Sequence, residues 1–374
     1  MAAGRHAGRV GGEVPRSAID VGLTPLRYVQ QTGAIGRLPE SLDGAGSVLA
    51  VADDLVWELV GEPVRAALAP AGAVVARWPF PGESSPRAAD DLAAAARRLP
   101  ATAIVGLGGG RAIDLAKVGA RRAGCPLVTV PTSAATCAAA SNVSVLYQDG
   151  RYVGTEAAAT PVACLVDPSI VGGAPPRFLA AGMADALAKW EEGSAVTDVE
   201  AGDGALRLAA RVAGEAHTSI LLRGLEAHAE TCAGRVTPAV ERMVETNLLT
   251  TGLASCLGGA RFRAAAAHAV YYGLTMLGRP FAGLHGEVVG FGLVVQALLL
   301  GRRDHAERLG RFLGGLEVPL TLAALGAPAG GADMEAFLDG ILRPASSIHC
   351  LRRRITRDAL RAALLDADAM GRSL

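Results

Sequence analysis

Residues 102–119 change abruptly from a β-strand pattern to a helix pattern, and this transition constrains the fold most. An apolar run at 103–105 meets Gly106, and three consecutive glycines, Gly108 to Gly110, precede a helical segment. Glycines permit a sharp turn and let a ligand approach the main chain. The free N–H groups at the start of the following helix suit a pyrophosphate. Because the turn lacks the common G-x-G-x-x-G spacing, it does not by itself separate a phosphate site from an ordinary connection.

Strand-like and helix-like segments alternate through the first half of the chain. Apolar runs predict strands at 47–52, 72–76, 103–105, 127–130, 144–146 and 163–166, and other patterns predict helices at 55–68 and 86–98. This alternation favours a parallel sheet covered by helices, with ligands beyond the carboxyl ends of the strands. After Asp167-Pro168 only helical periodicity remains. We therefore expect a flexible tail at 1–19, a Rossmann-like α/β nucleotide-binding domain at 20–174 and an all-helical domain at 175–374.

The composition argues against nucleic acid and membranes as partners. The chain carries 36 basic and 36 acidic residues, so it has no net charge to attract polyanions. Its longest apolar run, 288–301, is too short to span a bilayer. Six cysteines without a C-x-x-C pair fit reduced thiols better than a disulfide or zinc framework. The first residues lack the apolar stretch of a signal peptide, and we expect a cytoplasmic protein.

Three residues of the helical half have the chemistry of metal ligands. Asp185 lies in an apolar, Ala-rich segment, where a buried carboxylate needs a partner; Lys189, one helical turn further, offers a simple salt bridge. His268 lies in a second Ala-rich segment, and His285 lies where a helix begins. Each histidine alone is explained as a core or capping residue. One carboxylate and two imidazoles together match a divalent metal site with an open position, although their spacing does not establish one.

The motifs of the chain, taken in order, resemble the iron-containing (group III) alcohol dehydrogenases, and among them the glycerol-dehydrogenase-like branch. The resemblance runs from about residue 24 to 372 and rests on TPLRYVQQTGAIGRL, VGLGGGRAIDLAK, VPTSAATCAAASNVSVLY, LVDPSIVGGAPPRFLAAGMADALAKW, AAAAHAVYYGLT, LHGEVVGFG and SSIHCLRRRI. It implies a dehydroquinate synthase-like fold, an α/β nucleotide-binding domain followed by a helical metal-binding domain. It also implies a homo-oligomeric enzyme that transfers hydride between NAD(P) and a small alcohol or carbonyl substrate.

The resemblance also implies roles for particular residues. Asp185, His268 and His285 match the family's ligands and would hold one divalent metal, Zn²⁺ or Fe²⁺, as the catalytic set. Asp53 matches a position near the adenosine ribose, where a carboxylate accepts from a 2′-hydroxyl and repels a 2′-phosphate. NAD is therefore expected rather than NADP. The full set of positions expected to bind the nucleotide is Asp53, Gly108, Gly109, Gly110, Asp114, Thr132, Ser133, Ser141 and Val145.

Several positions depart from the family pattern and bear on the substrate. Lys189 replaces a histidine of the longer-chain enzymes, which leaves three ligands. Cys137 replaces an aspartate that meets polyol hydroxyls in typical glycerol dehydrogenases, and Tyr271-Tyr272 replaces a polar pair. The expected substrate pocket contains Cys137, Tyr272 and Arg279. The expected substrate is a 2-hydroxy or 2-oxo acid, an aldehyde or a polyol-like alcohol, with glycerol itself disfavoured. Arg279 either holds a substrate carboxylate or lies in a surface loop.

Two other functions stay open at this point. A lyase similar to dehydroquinate synthase uses NAD only transiently and grips a phosphate with several lysines and arginines. Only two of this chain's 36 basic residues are lysines, Lys117 and Lys189, which disfavours such a site. A non-catalytic binding protein could share the fold, but the intact metal positions and glycine turn disfavour that alternative.

Overall fold

A computed structural model describes residues 21–42, 46–198 and 202–374, so the predicted tail at 1–19 lies outside the described residues. Their strands are β1 Tyr28–Gln30, β2 Ser47–Ala52, β3 Val74–Pro79, β4 Ala101–Gly108, β5 Leu127–Pro131, β6 Val143–Gln148, β7 Arg151–Ala157 and β8 Ala163–Val166. The helices between the strands are α1 Asp54–Leu68, α2 Pro86–Arg98 and α3 Gly110–Ala123. The sequence marks their starts, since Asp53 and Ser85 accept hydrogen bonds from the first turns of α1 and α2.

Six strands form one parallel sheet, in the order β1-β8-β5-β4-β2-β3. Val105, Leu107 and Val128 belong to one apolar cluster with α1, whereas Ile104 and Leu127 pack with α2 and α3 on the opposite face. Apolar side chains therefore cover both faces, as expected for a parallel sheet. The predicted fold class, a parallel α/β sheet with a helical half, is confirmed.

The structure corrects three strand predictions. β4 does not stop at Gly106 but continues to Gly108. A Cβ at Gly106 would lie 2.8 Å from Ala116 Cβ, so this glycine lets α3 pack closely on a continuing strand. The predicted strand at 72–76 begins later, because Gly72 forms a left-handed turn at φ 68°. The run at 144–146 lies in β6, which pairs antiparallel with the unpredicted β7 and stands outside the main sheet.

The described residues beyond Val166 form helices and contain no strand. These helices are α4 Pro168–Gly172, α5 Pro176–Val196, α6 Gly204–Cys232, α7 Pro238–Glu245, α8 Thr251–Gly258, α9 Ala266–Thr275, α10 His285–Leu299, α11 Arg303–Gly315, α12 Leu322–Leu325, α13 Gly331–Leu342 and α14 Arg357–Ser373. Within the described part of the chain, no helix has the length and apolar character needed to cross a bilayer. The domain boundary between residues 174 and 175 stays a prediction.

Two glycines set how closely α5 meets its neighbours. A Cβ at Gly182 of α5 would lie 1.8 Å from the Ala134 oxygen, in the loop that follows β5. A Cβ at Gly286 of α10 would lie 1.8 Å from the Ala181 oxygen of α5. Main chains this close tolerate no side chain between them. The two contacts bring the middle of α5 against both the sheet loop and the start of α10.

Candidate functional site

The carboxyl ends of three adjacent strands carry the residues predicted to bind a nucleotide. β2 ends before Asp53, β4 ends at Gly108, and β5 ends before Thr132. Because β2 and β5 flank β4, these ends lie at one edge of the sheet. The Thr132 N–H donates to the Gly108 oxygen at 3.2 Å. Asp53 also caps α1 by accepting from the Val56 N–H at 2.8 Å. The structure thus brings together positions that are far apart in sequence.

The start of α3 leaves room for an anion. Gly109 occupies the cap position without a capping side chain, and no acidic residue stands in the first turn. A Cβ at Gly110 would meet the Thr136 hydroxyl oxygen at 2.8 Å, and one at Gly109 would lie 3.6 Å from Ser133 Oγ. Of the three glycines only Gly108, at φ +124°, has a conformation that other residues rarely adopt. Uncapped N–H groups at the start of a 14-residue helix suit a phosphate group.

Asp114, Ser141 and Val145 form a buried network around Lys117. The Lys117 ammonium lies 2.9 Å from Asp114 Oδ1 and donates to Ser141 Oγ at 3.1 Å. Asp114 Oδ2 accepts from the Val145 N–H at 3.1 Å. Burial raises the pKa of the Asp114 carboxyl, and the Lys117 charge acts against that rise. The network ties α3 to β6, and direct contact of these three residues with a nucleotide stays a prediction.

The structure brings Asp185, His268 and His285 to one point. His268 Nε2 and His285 Nε2 each lie 3.4 Å from Asp185 Oδ1. One ligand atom from each residue lies within 4.8 Å of the other two. The residues come from α5, α9 and α10, which converge beside the sheet loop. Asp185 and His268 are buried and His285 is partly exposed, so the cluster has one accessible side.

A divalent ion fits this cluster. Asp185 Oδ1 is buried and has no hydrogen-bond partner, which is costly unless a cation satisfies it. Tetrahedral metal–ligand bonds of about 2.0–2.1 Å place neighbouring ligand atoms about 3.4 Å apart, and both histidine-to-aspartate distances are 3.4 Å. The Lys189 ammonium, 3.7 Å from Asp185 Oδ1, forms the predicted salt bridge as well. The salt bridge and the ligand cluster therefore coexist on one carboxylate.

The charges around the cluster keep Asp185 ionised. Burial alone would raise the pKa of this carboxyl, but Lys189 and the two imidazoles outweigh burial and hold the pKa well below its usual value. Burial lowers the pKa of His285, which favours the neutral imidazole that a metal requires. Asp185 and His285 are therefore in the protonation states that ligate a cation, whereas at His268 the charge of Glu192 outweighs burial and raises the pKa of the imidazole.

The sequence reasoning missed Glu192, which holds His268 in place. Glu192 is fully buried; its Oε2 contacts His268 Nδ1, and its Oε1 accepts from the N–H groups of Ala265 at 2.6 Å and His268 at 3.0 Å. A carboxylate on Nδ1 fixes the tautomer that leaves Nε2 free as a ligand. Glu192 lies seven residues after Asp185, two helical turns along α5. This seven-residue spacing, which places both carboxylates on one face of α5, is the sequence signal that could have revealed Glu192.

Comparison with known proteins identifies the family of the chain. Residues 29–175 match the family model described as iron-containing alcohol dehydrogenase. The chain is 36% identical to a glycerol dehydrogenase of Pseudomonas putida over 360 residues, covering 93% of this chain and 97% of the relative. The chain belongs to the iron-containing alcohol dehydrogenase family. It is accordingly an oxidoreductase of alcohols that depends on a nicotinamide cofactor and a divalent metal.

Two further comparisons support this family assignment. The dehydrogenase is 36% identical to hydroxycarboxylate dehydrogenase A of Escherichia coli over 266 residues, covering 70% of this chain and 73% of that protein. The crystal structure of glycerol dehydrogenase from Schizosaccharomyces pombe superposes with a TM-score of 0.85 at 28% identity, covering 96% of this chain and 93% of that one. The predicted oxidoreductase activity is confirmed, and these relatives give no support to the lyase or the non-catalytic alternative.

Aromatic rings surround the ligand cluster of this dehydrogenase. The chain has only five tyrosines, and four of them meet here: Tyr147, Tyr152, Tyr271 and Tyr272. The Tyr271 ring lies edge-on to His285 at 4.4 Å, and Tyr272 lies 6.2 Å from His268 between ring centroids. Two of these rings come from the hairpin that β6 forms with the unpredicted β7. The hairpin therefore completes one wall of the site.

Two further predicted pocket residues differ in their surroundings. Cys137 is buried and close enough to Lys189 and Asp185 to respond to their charges; burial raises the pKa of its thiol to about 11. The Arg279 guanidinium instead pairs with Asp333 at 2.9 Å, with both side chains about half exposed. This pair favours the surface-loop interpretation of Arg279, and binding of a substrate carboxylate there stays a prediction.

Proposed function

We propose that Asp185, His268 and His285 hold the catalytic divalent ion of this dehydrogenase, with the nicotinamide cofactor bound along the glycine turn opposite. The observation that carries the proposal is the convergence of three ligand atoms on an Asp185 oxygen that has no hydrogen-bond partner. An ion bound there would act as a Lewis acid on the alcohol or carbonyl oxygen. The ligand set accepts Zn²⁺ and Fe²⁺, and elemental analysis of the purified protein distinguishes them.

The chain's own residues prepare the site for this reaction. Glu192 orients His268, and Lys189 balances the charge of Asp185. The uncapped start of α3 binds the pyrophosphate of the nucleotide. The tyrosine rings lie against the two histidines and make that side of the site less polar. Asp53, at the end of β2, favours NAD over NADP because its carboxylate repels a 2′-phosphate.

His268→Ala tests the ligand assignment. The variant should lose both its metal load and its turnover, because two remaining ligands hold an ion weakly. His349→Ala, which removes an exposed histidine remote in sequence from the cluster, should lose neither. Full activity of His268→Ala with an unchanged metal content would end the proposal. Net NADH formed from an alcohol, followed by absorbance, is the readout, since a lyase with transient NAD use would release none.

The substrate we propose is a small 2-hydroxy or 2-oxo acid or an aldehyde rather than glycerol. The buried, neutral Cys137 thiol cannot accept charge-assisted hydrogen bonds from polyol hydroxyls. The tyrosine wall also makes the pocket less polar. A panel of diols, 2-oxo acids and aldehydes, assayed with both nucleotides, should give a higher kcat/KM for the acids and aldehydes. Cys137→Asp should shift the preference toward glycerol, and a wild-type preference for glycerol would contradict the assignment.

We also propose that the enzyme is a cytoplasmic homo-oligomer. Six cysteines without a C-x-x-C pair fit the reduced thiols of a cytoplasmic protein. The family that the motifs indicate supports the homo-oligomer. Mass photometry of the purified chain measures the oligomeric state directly, and a monomer at working concentration would contradict it.

A further inference from the structure

A second group of potential metal ligands lies on α6, away from the three catalytic ligands in sequence. His228 and Cys232 are one helical turn apart at the end of α6, and Glu317 follows the end of α11. One ligand atom from each residue lies within 4.8 Å of the other two. An imidazole, a thiol and a carboxylate are thus brought together from two helices.

The distances in this group match those of a bound ion. His228 Nε2 lies 3.4 Å from Glu317 Oε2 and 3.7 Å from Cys232 Sγ. Tetrahedral bonds of about 2.0 Å to nitrogen and oxygen and about 2.3 Å to sulfur place such atoms about 3.3–3.6 Å apart. The distances among these three residues therefore agree with tetrahedral coordination, as those of the catalytic cluster do, but with a different set of donor atoms.

The His228 ring makes its polar contacts through one nitrogen. His228 is only 5% exposed, and its Nδ1 is buried without a hydrogen-bond partner. The polar contacts of the ring therefore run through Nε2, which faces Cys232 and Glu317. An ion pair between His228 and Glu317 would stabilise the fold little, because the Glu317 carboxylate is 79% exposed and water screens its charge.

We propose that His228 Nε2, Cys232 Sγ and the Glu317 carboxylate bind a second divalent cation, separate from the catalytic ion. Thiolate and imidazole donors favour Zn²⁺ or Co²⁺ over Mg²⁺ and Ca²⁺. Cys232 binds as the thiolate and releases its proton to solvent, and water fills the remaining position. The ion joins the end of α6 to the end of α11, and it stabilises the folded chain by binding only to that state.

The backbone at Glu317 provides an informative variant. Its φ of +58° lies in the left-handed region, and its position, immediately after the C-cap residue Leu316 of α11, is one that glycine usually occupies. Glu317→Gly removes the ligand and relieves the backbone strain together. Without metal the variant should melt at a higher temperature than wild type. Zn²⁺ should raise its melting temperature by less than that of wild type, because only the catalytic ion then contributes. A Zn²⁺-dependent rise equal to that of wild type would contradict the assignment of Glu317.

Co²⁺ loading of the full-length protein tests the site spectroscopically. A thiolate bound to Co²⁺ gives an intense near-ultraviolet charge-transfer band, and the catalytic cluster has no cysteine among its three ligands. Wild type should take up two Co²⁺ per chain and show the band. Cys232→Ser should bind one, lose the band and keep its activity. Cys350→Ser, which removes another exposed cysteine, should behave as wild type.

Two results would overturn the proposal. One is a wild-type protein that binds a single Co²⁺ without the band. The other is a band that persists in Cys232→Ser, because the thiolate would then come from a different cysteine. Activity of Cys232→Ser with the catalytic metal restored shows that the variant is folded, so loss of the band cannot be attributed to unfolding.

Discussion

Glu192→Gln tests how the protein fixes the tautomer of His268, which we propose as a metal ligand. Glu192 Oε1 accepts two backbone N–H groups, from Ala265 and His268, while Oε2 contacts His268 Nδ1. Glutamine has only one oxygen to serve these two positions. If that oxygen takes the backbone donors, the amide NH₂ faces Nδ1. Nδ1 must then accept, the ring proton moves to Nε2, and Nε2 can no longer bind a metal.

The opposite amide orientation is also unfavourable. The NH₂ group would then face the N–H groups of Ala265 and His268, which would lose their acceptor inside the core. Leaving a buried donor unsatisfied costs about 1–3 kcal/mol. Loss of a partner that orients a ligand typically weakens metal affinity about 10–100-fold, or about 1.4–2.7 kcal/mol. We therefore expect a weakening of this size together with a lower melting temperature.

Competition against a chelator, followed by elemental analysis, measures the affinity. Glu191→Gln is the matched control, because Glu191 is the neighbouring carboxylate yet bonds to His217 at 3.0 Å and His305 at 2.9 Å rather than to His268. The control should keep wild-type affinity for the catalytic metal. If Glu192→Gln retains the metal as tightly as wild type, the tautomer argument is refuted.

Three further predictions concern packing, a buried ion pair and pH. A Cβ at Gly286 would lie 1.8 Å from a backbone oxygen of α5. Gly286→Ala should therefore lower the free energy of unfolding by about 1–3 kcal/mol and release metal by displacing His285. Gly314→Ala should do neither, because its Cβ would meet only a side-chain carbon, at 3.8 Å. Asp114→Asn leaves the buried Lys117 without its counter-ion, and thermal or urea unfolding should show a loss of about 3–5 kcal/mol; a loss below about 1 kcal/mol would contradict a buried pair. Burial raises the pKa of Cys137 from 9.0 to about 11, so the stability that this neutral thiol contributes is complete below pH 9.0 and is lost as the pH rises through 11. The difference in unfolding free energy between wild type and Cys137→Ala should shrink across that window, and a constant difference would contradict it.

The sequence predicted the sheet well where a strand is an unbroken apolar run between turn residues. The predicted bounds 47–52 and 163–166 are those of β2 and β8, and the helix 86–98 is α2, because Ser85 and Pro86 mark its start. β1 was not predicted because it has only three residues and is defined by its pairing with β8, which lies far along the chain. β7 alternates exposed and half-buried residues and has no apolar run to reveal it.

The candidate ligands were recognisable by residue type and by motif, but their convergence was not. Asp185 and His285 are 100 residues apart in the sequence, and only the packing of α5, α9 and α10 brings them together. Glu192 was missed although it shares a helix face with Asp185, because a carboxylate near a helix end is usually solvated. The tyrosine wall depends on the β6–β7 hairpin, whose position no local pattern predicts.

The most direct test of the account is a crystal structure of the metal-loaded enzyme with anomalous scattering recorded at the metal's absorption edge. We expect a strong peak about 2.0–2.2 Å from Asp185 Oδ1 and from Nε2 of both His268 and His285. A fully active enzyme whose anomalous density lies elsewhere, with these three side chains unligated, would contradict it.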